Sequence, residues 1–197
     1  MNSDVIIQEK LYEAEFYRKE HDYNTALIKY QNLYRLIKNN IQDYEKYGIT
    51  ILKKICFCYR KTGNMQAALS TINEALHLAH KNSLCSKNNN DFLLELAICY
   101  MNKGTIYDAS EDFKHAIENY LLGLKILKDL VKQDTSYTHI VINGLLNLGT
   151  AYYNENCFDL SLQTFEELCS LLGNNKNTDQ RGIYAKKYMQ KIKKEKE

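Results

Sequence analysis

An all-α fold of stacked helical hairpins is the architecture this sequence predicts, and three observations carry the prediction. The first is punctuation: 197 residues contain no Pro and only 8 Gly, whereas strands and tight turns would need more of both and long helices need neither. The second is content: 45 % hydrophobic residues are enough for an ordinary globular core and too many for a disordered chain. The third is self-similarity, because one spacing pattern recurs four times.

The pattern is a small residue, then a Tyr three positions later. Nine residues after the Tyr comes a second small residue, then a large apolar residue four further on and a small or apolar one three beyond that. Its first copy is Ala14, Tyr17, Ala26, Tyr30 and Leu33, and its second Cys56, Tyr59, Ala68, Ile72 and Ala75. The third is Gly104, Tyr107, Ala116, Tyr120 and Gly123, and the fourth Gly149, Tyr152, Ser161, Phe165 and Leu168. Positions i and i+3 share one face of a first helix, and i, i+4 and i+7 share one face of a second. Small residues let two helix backbones approach, and the large ones fill the groove beside them. Asp22, Asn64 after Gly63, Asp112 and Asn156 stand between the paired helices, where a short polar side chain caps a helix start. Each copy is therefore a helical hairpin, with boundaries near 4–38, 44–82, 91–131 and 137–172 in one domain over 1–197. Residues 173–179 (GNNKNTD) interrupt the pattern. A closing helix over about 180–195 follows, with Ile183, Tyr184, Tyr188 and Ile192 spaced to share its apolar face.

These residues resemble the tetratricopeptide repeat (TPR) family over nearly the whole chain. The resemblance implies a right-handed superhelical solenoid of four hairpins ended by a capping helix, whose outer face should be polar. Departures from the family are clear. Its Trp is replaced by Lys10, Leu52, Tyr100 and Leu145, its Pro is missing, and the first small positions recur at intervals of 42, 48 and 45 rather than about 34. The extra length falls in longer helices and in the links 81–90 and 129–137. Long repeats of this kind resemble the peptide-sensing TPR domains of the Rap, PlcR and NprR quorum-sensing regulators, most closely over LLNLGTAYYNENCFDLSLQTFEEL at 145–168. No DNA-binding helix-turn-helix accompanies them. Kinesin light chains and spindle-orientation adaptors share long repeats too.

The chemistry-bearing motifs of enzymes are missing. No phosphate-cradling Gly loop, H-E-x-x-H or G-x-S-x-G occurs. None of Cys56, Cys58, Cys85, Cys99, Cys157 and Cys169 forms a C-x-x-C; most sit in apolar helical patterns and read as small buried hydrophobes in a reducing compartment. His77 and His80 share a helix face without companions, Cys56 and Cys58 point to different sides, and Glu166 and Glu167 diverge. The expectation is a protein that is not an enzyme, with no catalytic residues, no metal and no cofactor. Nor does the start, MNSDVIIQEK, resemble a signal peptide, and no run of about 18 apolar residues could span a membrane. A cytoplasmic location without membrane partners is expected. Net charge is +2, which argues against nucleic acid. Residues 181–197 alone hold seven cations against two carboxylates, a net +5, read as a solvated face of the closing helix, with a contact to an acidic partner or nucleic acid as the alternative.

What remains is surface for another polypeptide. In a TPR array the first helices line a concave groove, and the residues two before and one after the first small position should project into it. The fourth hairpin offers Asn143, Asn147, Thr150 and Asn154, and the third Ile98, Asn102, Thr105 and Ala109. The second offers Thr50, Lys54, Phe57 and Lys61, and the first Gln8, Tyr12, Glu15 and Lys19. Asn102 and Asn147 occupy equivalent positions. An Asn amide pairs with both the C=O and the N–H of an extended peptide, and the resembled receptors use groove Asn residues in that way. The expected peptide site is thus Asn102, Asn147, Asn143, Thr105, Thr150 and Asn154, with Lys54 and Lys61 supplying charge for a ligand carboxylate. The competing account is that Asn is simply abundant, as in Asn88-Asn89-Asn90. The chaperone-binding TPR clamp is absent, since its positions hold Leu11, Glu15, Lys54, Ile98 and Asn102. Two readings follow: a peptide receptor, or an adaptor or self-associating scaffold using surfaces outside the groove.

Overall fold

The computed structural model describes residues 3–40, 44–85 and 90–195. Among them the chain forms α1 (Ser3–Lys19), α2 (Tyr23–Asn40), α3 (Tyr44–Lys61), α4 (Met65–Cys85), α5 (Asn90–Ala109), α6 (Phe113–Val131), α7 (Thr138–Asn154), α8 (Phe158–Leu172) and α9 (Gln180–Glu195). Short 3-10 turns at Thr135–Tyr137 and Gly173–Asn177 are the other regular elements of these residues, and no strand occurs among them. The four expected hairpins are the pairs α1–α2, α3–α4, α5–α6 and α7–α8. Helix α4 continues through 81–85, which the sequence pattern assigned to a link, and residues 86–89 of that link lie outside the described residues. The chain divides into two compact units, Met1–Cys99 and Tyr100–Glu197, with the division inside α5.

The repeat spacing has a local cause that is identical in all four hairpins. The carbonyl of each motif tyrosine accepts a hydrogen bond from the N–H five residues on: Tyr17 from Asp22, Tyr59 from Asn64, Tyr107 from Asp112 and Tyr152 from Cys157, at 2.8–3.0 Å. This closure ends the first helix. It requires a left-handed residue just before the cap, and His21, Gly63, Glu111 and Asn156 take that conformation with φ of 60–81°. The next helix starts at once. The N–H groups of Ala26, Ala68, Ala116 and Ser161 bond at 3.0 Å to the carbonyls of Asp22, Asn64, Asp112 and Cys157. Five residues to the cap and four more to the small residue make the interval of nine.

Side-chain caps accompany three of these starts. Asp22 accepts from Thr25 N at 3.1 Å, Asn64 from Ala67 N at 3.0 Å and Asp112 from His115 N at 3.3 Å. The fourth corrects the sequence reading. Asn156 is the left-handed residue, and the cap position belongs to Cys157, which makes no side-chain capping bond. Cys157→Asp is therefore expected to stabilise the chain by about 1 kcal/mol, read as a raised thermal midpoint.

The motif positions form the core. The small residues Ala14, Cys56, Ala26, Ala68, Ala116 and Ser161 are buried, as are Tyr30, Ile72, Tyr120 and Phe165. Gly104 and Gly149 are sites of close approach: a Cβ on Gly104 would lie 2.6 Å from the Tyr120 ring, and one on Gly149 2.6 Å from the Phe165 ring. Ser161 replaces the alanine of the other hairpins and turns its hydroxyl to account, donating to the Gly149 carbonyl at 2.8 Å inside the core.

Helix α9 packs on α7 and α8, through a face that keeps the expected Tyr188 and Ile192 but not the expected Ile183 and Tyr184. Gly182, Ala185 and Ile192 are buried, whereas Ile183 and Tyr184 are exposed. Gly182 decides the orientation, because its Cα faces the backbone of the preceding turn, where a Cβ would lie 2.8 Å from Lys176 Cα. Tyr188 joins the buried side, with its ring 4.8 Å from that of Tyr153 and 5.6 Å from that of Phe165.

Candidate functional site

In the second unit, the candidate residues lie on α5 and α7. Leu145, Leu148, Gly149 and Ala151 of α7 are buried, which leaves Asn147 and Thr150 half-buried between them and Asn143 and Asn154 exposed. On α5, Gly104 and Ile106 are buried, and Asn102 and Thr105 are half-buried. The two threonines are not free donors. Thr105 Oγ1 donates to the Met101 carbonyl and Thr150 Oγ1 to the Leu146 carbonyl, each at 2.9 Å. The two asparagines differ: among the described residues no hydrogen bond reaches the amide of Asn102 or of Asn147. Met101 and Gly144 bring α5 and α7 together, since a Cβ on Gly144 would lie 2.9 Å from Met101 Cε.

Asn143 already has a partner. Arg181 at the start of α9 donates through Nη1 to Asn143 Oδ1 at 3.0 Å and to the His139 carbonyl at 3.4 Å. Its other side is fixed by Asp179, at 2.6 Å from Nη2. The hydrogen bonds from Arg181 hold the Asp179 carboxyl down at about 2.

In the first unit, Lys54 is not a free cation. It pairs with Glu15 across the α1–α3 packing, and Glu15 also accepts from Arg18 Nη2 at 2.6 Å, Arg18 Nε at 2.8 Å and Tyr30 Oη at 2.6 Å. Burial pushes the Glu15 carboxyl upward, but the bonds from Arg18, Lys54 and Tyr30 outweigh it and set the group at about 2. Lys61 is exposed, with its ammonium 5.7 Å from the centre of the Phe57 ring. Arg18 and Arg60 crowd the same ring at 5.6 and 5.5 Å. The stripe pattern named Glu15 and Phe57 but not these arginines. Their signal was present, since Arg18 and Arg60 each follow a motif tyrosine directly.

Three of the thiols, Cys56, Cys58 and Cys99, are buried and unsuited to nucleophilic work. Burial pushes Cys56 and Cys99 up to about 12 and Cys58 to about 11, so they stay protonated near neutral pH. Among the described residues no three His, Cys, Asp or Glu side chains gather to hold a metal ion. None of the described helices is long and apolar enough to cross a membrane. A surface recess of about 410 Å³ opens between α6, α7 and α8, floored by Leu124, Leu145 and Leu148. Leu121 and Leu160 at its lip are nearly half exposed, and Lys128 meets Glu167 at 2.7 Å beside it.

No protein-family model matches the sequence, and no curated protein is found similar to it in sequence. The fold has clear relatives among solved structures. The apo form of RapI superposes with a TM-score of 0.78 over 100 % of this chain, at 11 % identity. A protein of nearly identical TPR-like repeats from Podosopora anserina, described as a kinesin light chain, gives 0.76 over 98 % of this chain and 87 % of its own, at 9 % identity. The Rap conjugation gene regulator of plasmid pLS20, in complex with the Phr* peptide, gives 0.69 over 95 % of this chain, at 15 % identity. This chain spans about half the length of the two Rap proteins, covering 50 % and 48 % of them. At such identities the likeness speaks to fold, and the fold is that of the all-α TPR-like helical repeat proteins.

Proposed function

We propose that this chain is a single TPR-like module that binds an extended peptide or partner segment, and that Asn102 and Asn147 hold the peptide backbone. The observation that carries the reading is the state of these two amides. They stand at equivalent motif positions, half-buried and outside the core, without a hydrogen bond, while neighbouring polar groups are satisfied within their own helices. Nothing in the packing accounts for their chemistry, and an amide suits peptide groups. Thr105, Thr150 and Asn154 flank them. The Rap protein solved with a Phr peptide shares the fold and supports a peptide as the ligand; the setting we propose is a regulatory receptor in the cytoplasm. Binding rather than catalysis is the role this assigns.

The test is to select ligands from a library of seven-residue peptides and measure their affinity for the parent, Asn102→Ala and Asn147→Ala. Each substitution strands peptide groups at a cost of about 1–3 kcal/mol, which is about a five- to hundred-fold loss of affinity. The fold should be unchanged, because neither side chain is in the core. A second reading, an adaptor, is favoured by the apolar recess at Leu121 and Leu160. It replaces the first if Leu121→Gln with Leu160→Gln abolishes partner capture while both asparagine variants bind like the parent.

A further inference from the structure

The first unit carries a charge imbalance that its own packing does not explain. Arg18, Arg60 and Lys61 gather around the half-buried Phe57 ring, and the Glu15 carboxylate beside them pairs with Arg18 and with a fourth cation, Lys54. Four cations against one carboxylate leave three positive charges. Arg18 and Lys54 are held in place by Glu15. Among the described residues, neither Arg60 nor Lys61 is paired with a carboxylate. Helix ends favour cations, and Arg18, Arg60 and Lys61 lie in the last turns of α1 and α3. That accounts for a cation on each helix. It does not account for three of them converging within 5.7 Å of one ring centre, where they repel one another.

We infer that this cluster is a binding site for a phosphoryl group carried on a polypeptide side chain. Charge decides the ligand class, since a dianion balances the excess better than one carboxylate does. Geometry agrees with it. Glu15 takes Arg18 through Nε and Nη2 and leaves Nη1 unused by that pair, and the Arg60 guanidinium offers a second fork. Paired guanidinium forks suit the tetrahedral oxygens of phosphate, while Lys61 adds a mobile point charge. The Glu15 carboxylate keeps two members of the set fixed before any ligand arrives, so less order is lost on binding. The site is independent of Asn102 and Asn147, and its failure would leave their reading intact.

The experiment uses the full chain and a fluorescein-labelled peptide Ala-Ala-phosphoserine-Ala-Ala, read by polarisation at low and at physiological salt. The phosphorylated peptide is expected to bind at least tenfold tighter than its unphosphorylated form, more weakly as salt rises. The Arg60→Gln/Lys61→Gln double variant should lose at least tenfold, with an unchanged melting curve, whereas Asn102→Ala and Asn147→Ala should bind the probe like the parent. Equal binding of the two peptides, or full retention by the double variant, overturns the site. A glutamate peptide that binds as well as the phosphopeptide overturns the phosphoryl assignment. Inorganic phosphate that competes at equal concentration overturns the polypeptide source and leaves a small-anion site.

Discussion

Phe165→Ala is expected to destabilise the chain by about 3–5 kcal/mol, measured as a lowered urea midpoint. Phe165 is fully buried, faces Gly149 across the α7–α8 hairpin and touches the Tyr188 ring of α9. Its removal leaves a void between three helices that cannot collapse independently. The same contact gives a sharper test. Gly149→Ala places a Cβ 2.6 Å from the Phe165 ring, so in the parent it should destabilise by about 1–3 kcal/mol through overpacking. In the Phe165→Ala background that clash is gone. There the better helix propensity of alanine, about 1 kcal/mol, should make the substitution stabilising. The sign reversal is the double-mutant signature of direct contact. Two independent, additive effects would mean that the α7–α8 register is wrong.

That register was legible because the core positions are set by backbone closure as well as by hydrophobicity. A tyrosine carbonyl closes one helix on a cap five residues on, and the next small residue follows at a fixed distance. The interval therefore survives where residue type drifts, as at Ser161 and Cys157. Where side-chain type alone was the guide, the reading slipped. At α9 the large apolar residues pointed to Ile183 and Tyr184, but Gly182 and Ala185 made the contact, and small residues carry no hydrophobic signal of their own. In the fourth turn Asn156 looked like a cap because asparagine serves both a cap and a left-handed position; the tyrosine spacing distinguishes the two.

The candidate sites were legible to different degrees for the same reason. Asn102 and Asn147 follow from the repeat register alone, being the polar remainder once the core is subtracted. Lys54 was read as a free cation because its partner Glu15 is 39 residues away in sequence, on a different hairpin. Only the packing of α1 against α3 brings the pair together. Polar contacts between repeats depend on side-chain direction across an interface, which a repeat pattern locates only by helix face. The gathering of Arg18, Arg60 and Lys61 on Phe57 lay beyond the pattern for that reason.

Glu15 joins Arg18, Lys54 and Tyr30 in the first unit, and its removal should show what that junction contributes. Glu15→Ala would leave the hydroxyl of the fully buried Tyr30 without its acceptor and set Arg18 and Lys54 side by side without their carboxylate. Arg18 and Lys54 are about 30 % exposed, so water softens the penalty, and a loss of about 2–4 kcal/mol is expected. Glu15→Gln keeps an acceptor for Tyr30 but loses the charge, and it isolates the pH dependence. In the folded chain Glu15 titrates near 2, against about 4.3 when unfolded. A depressed folded value contributes stability that is fully present above the unfolded value and is lost as pH falls toward the folded one. Between about pH 5 and pH 2 the parent should therefore lose about 2–3 kcal/mol more than Glu15→Gln, as seen in urea melts across that range. The other carboxylates are common to both proteins and cancel in the difference. Parallel pH profiles for the two would show that the Arg18, Lys54 and Tyr30 contacts with Glu15 do not bias its ionisation, and the pre-set half of the cation cluster would fall with them.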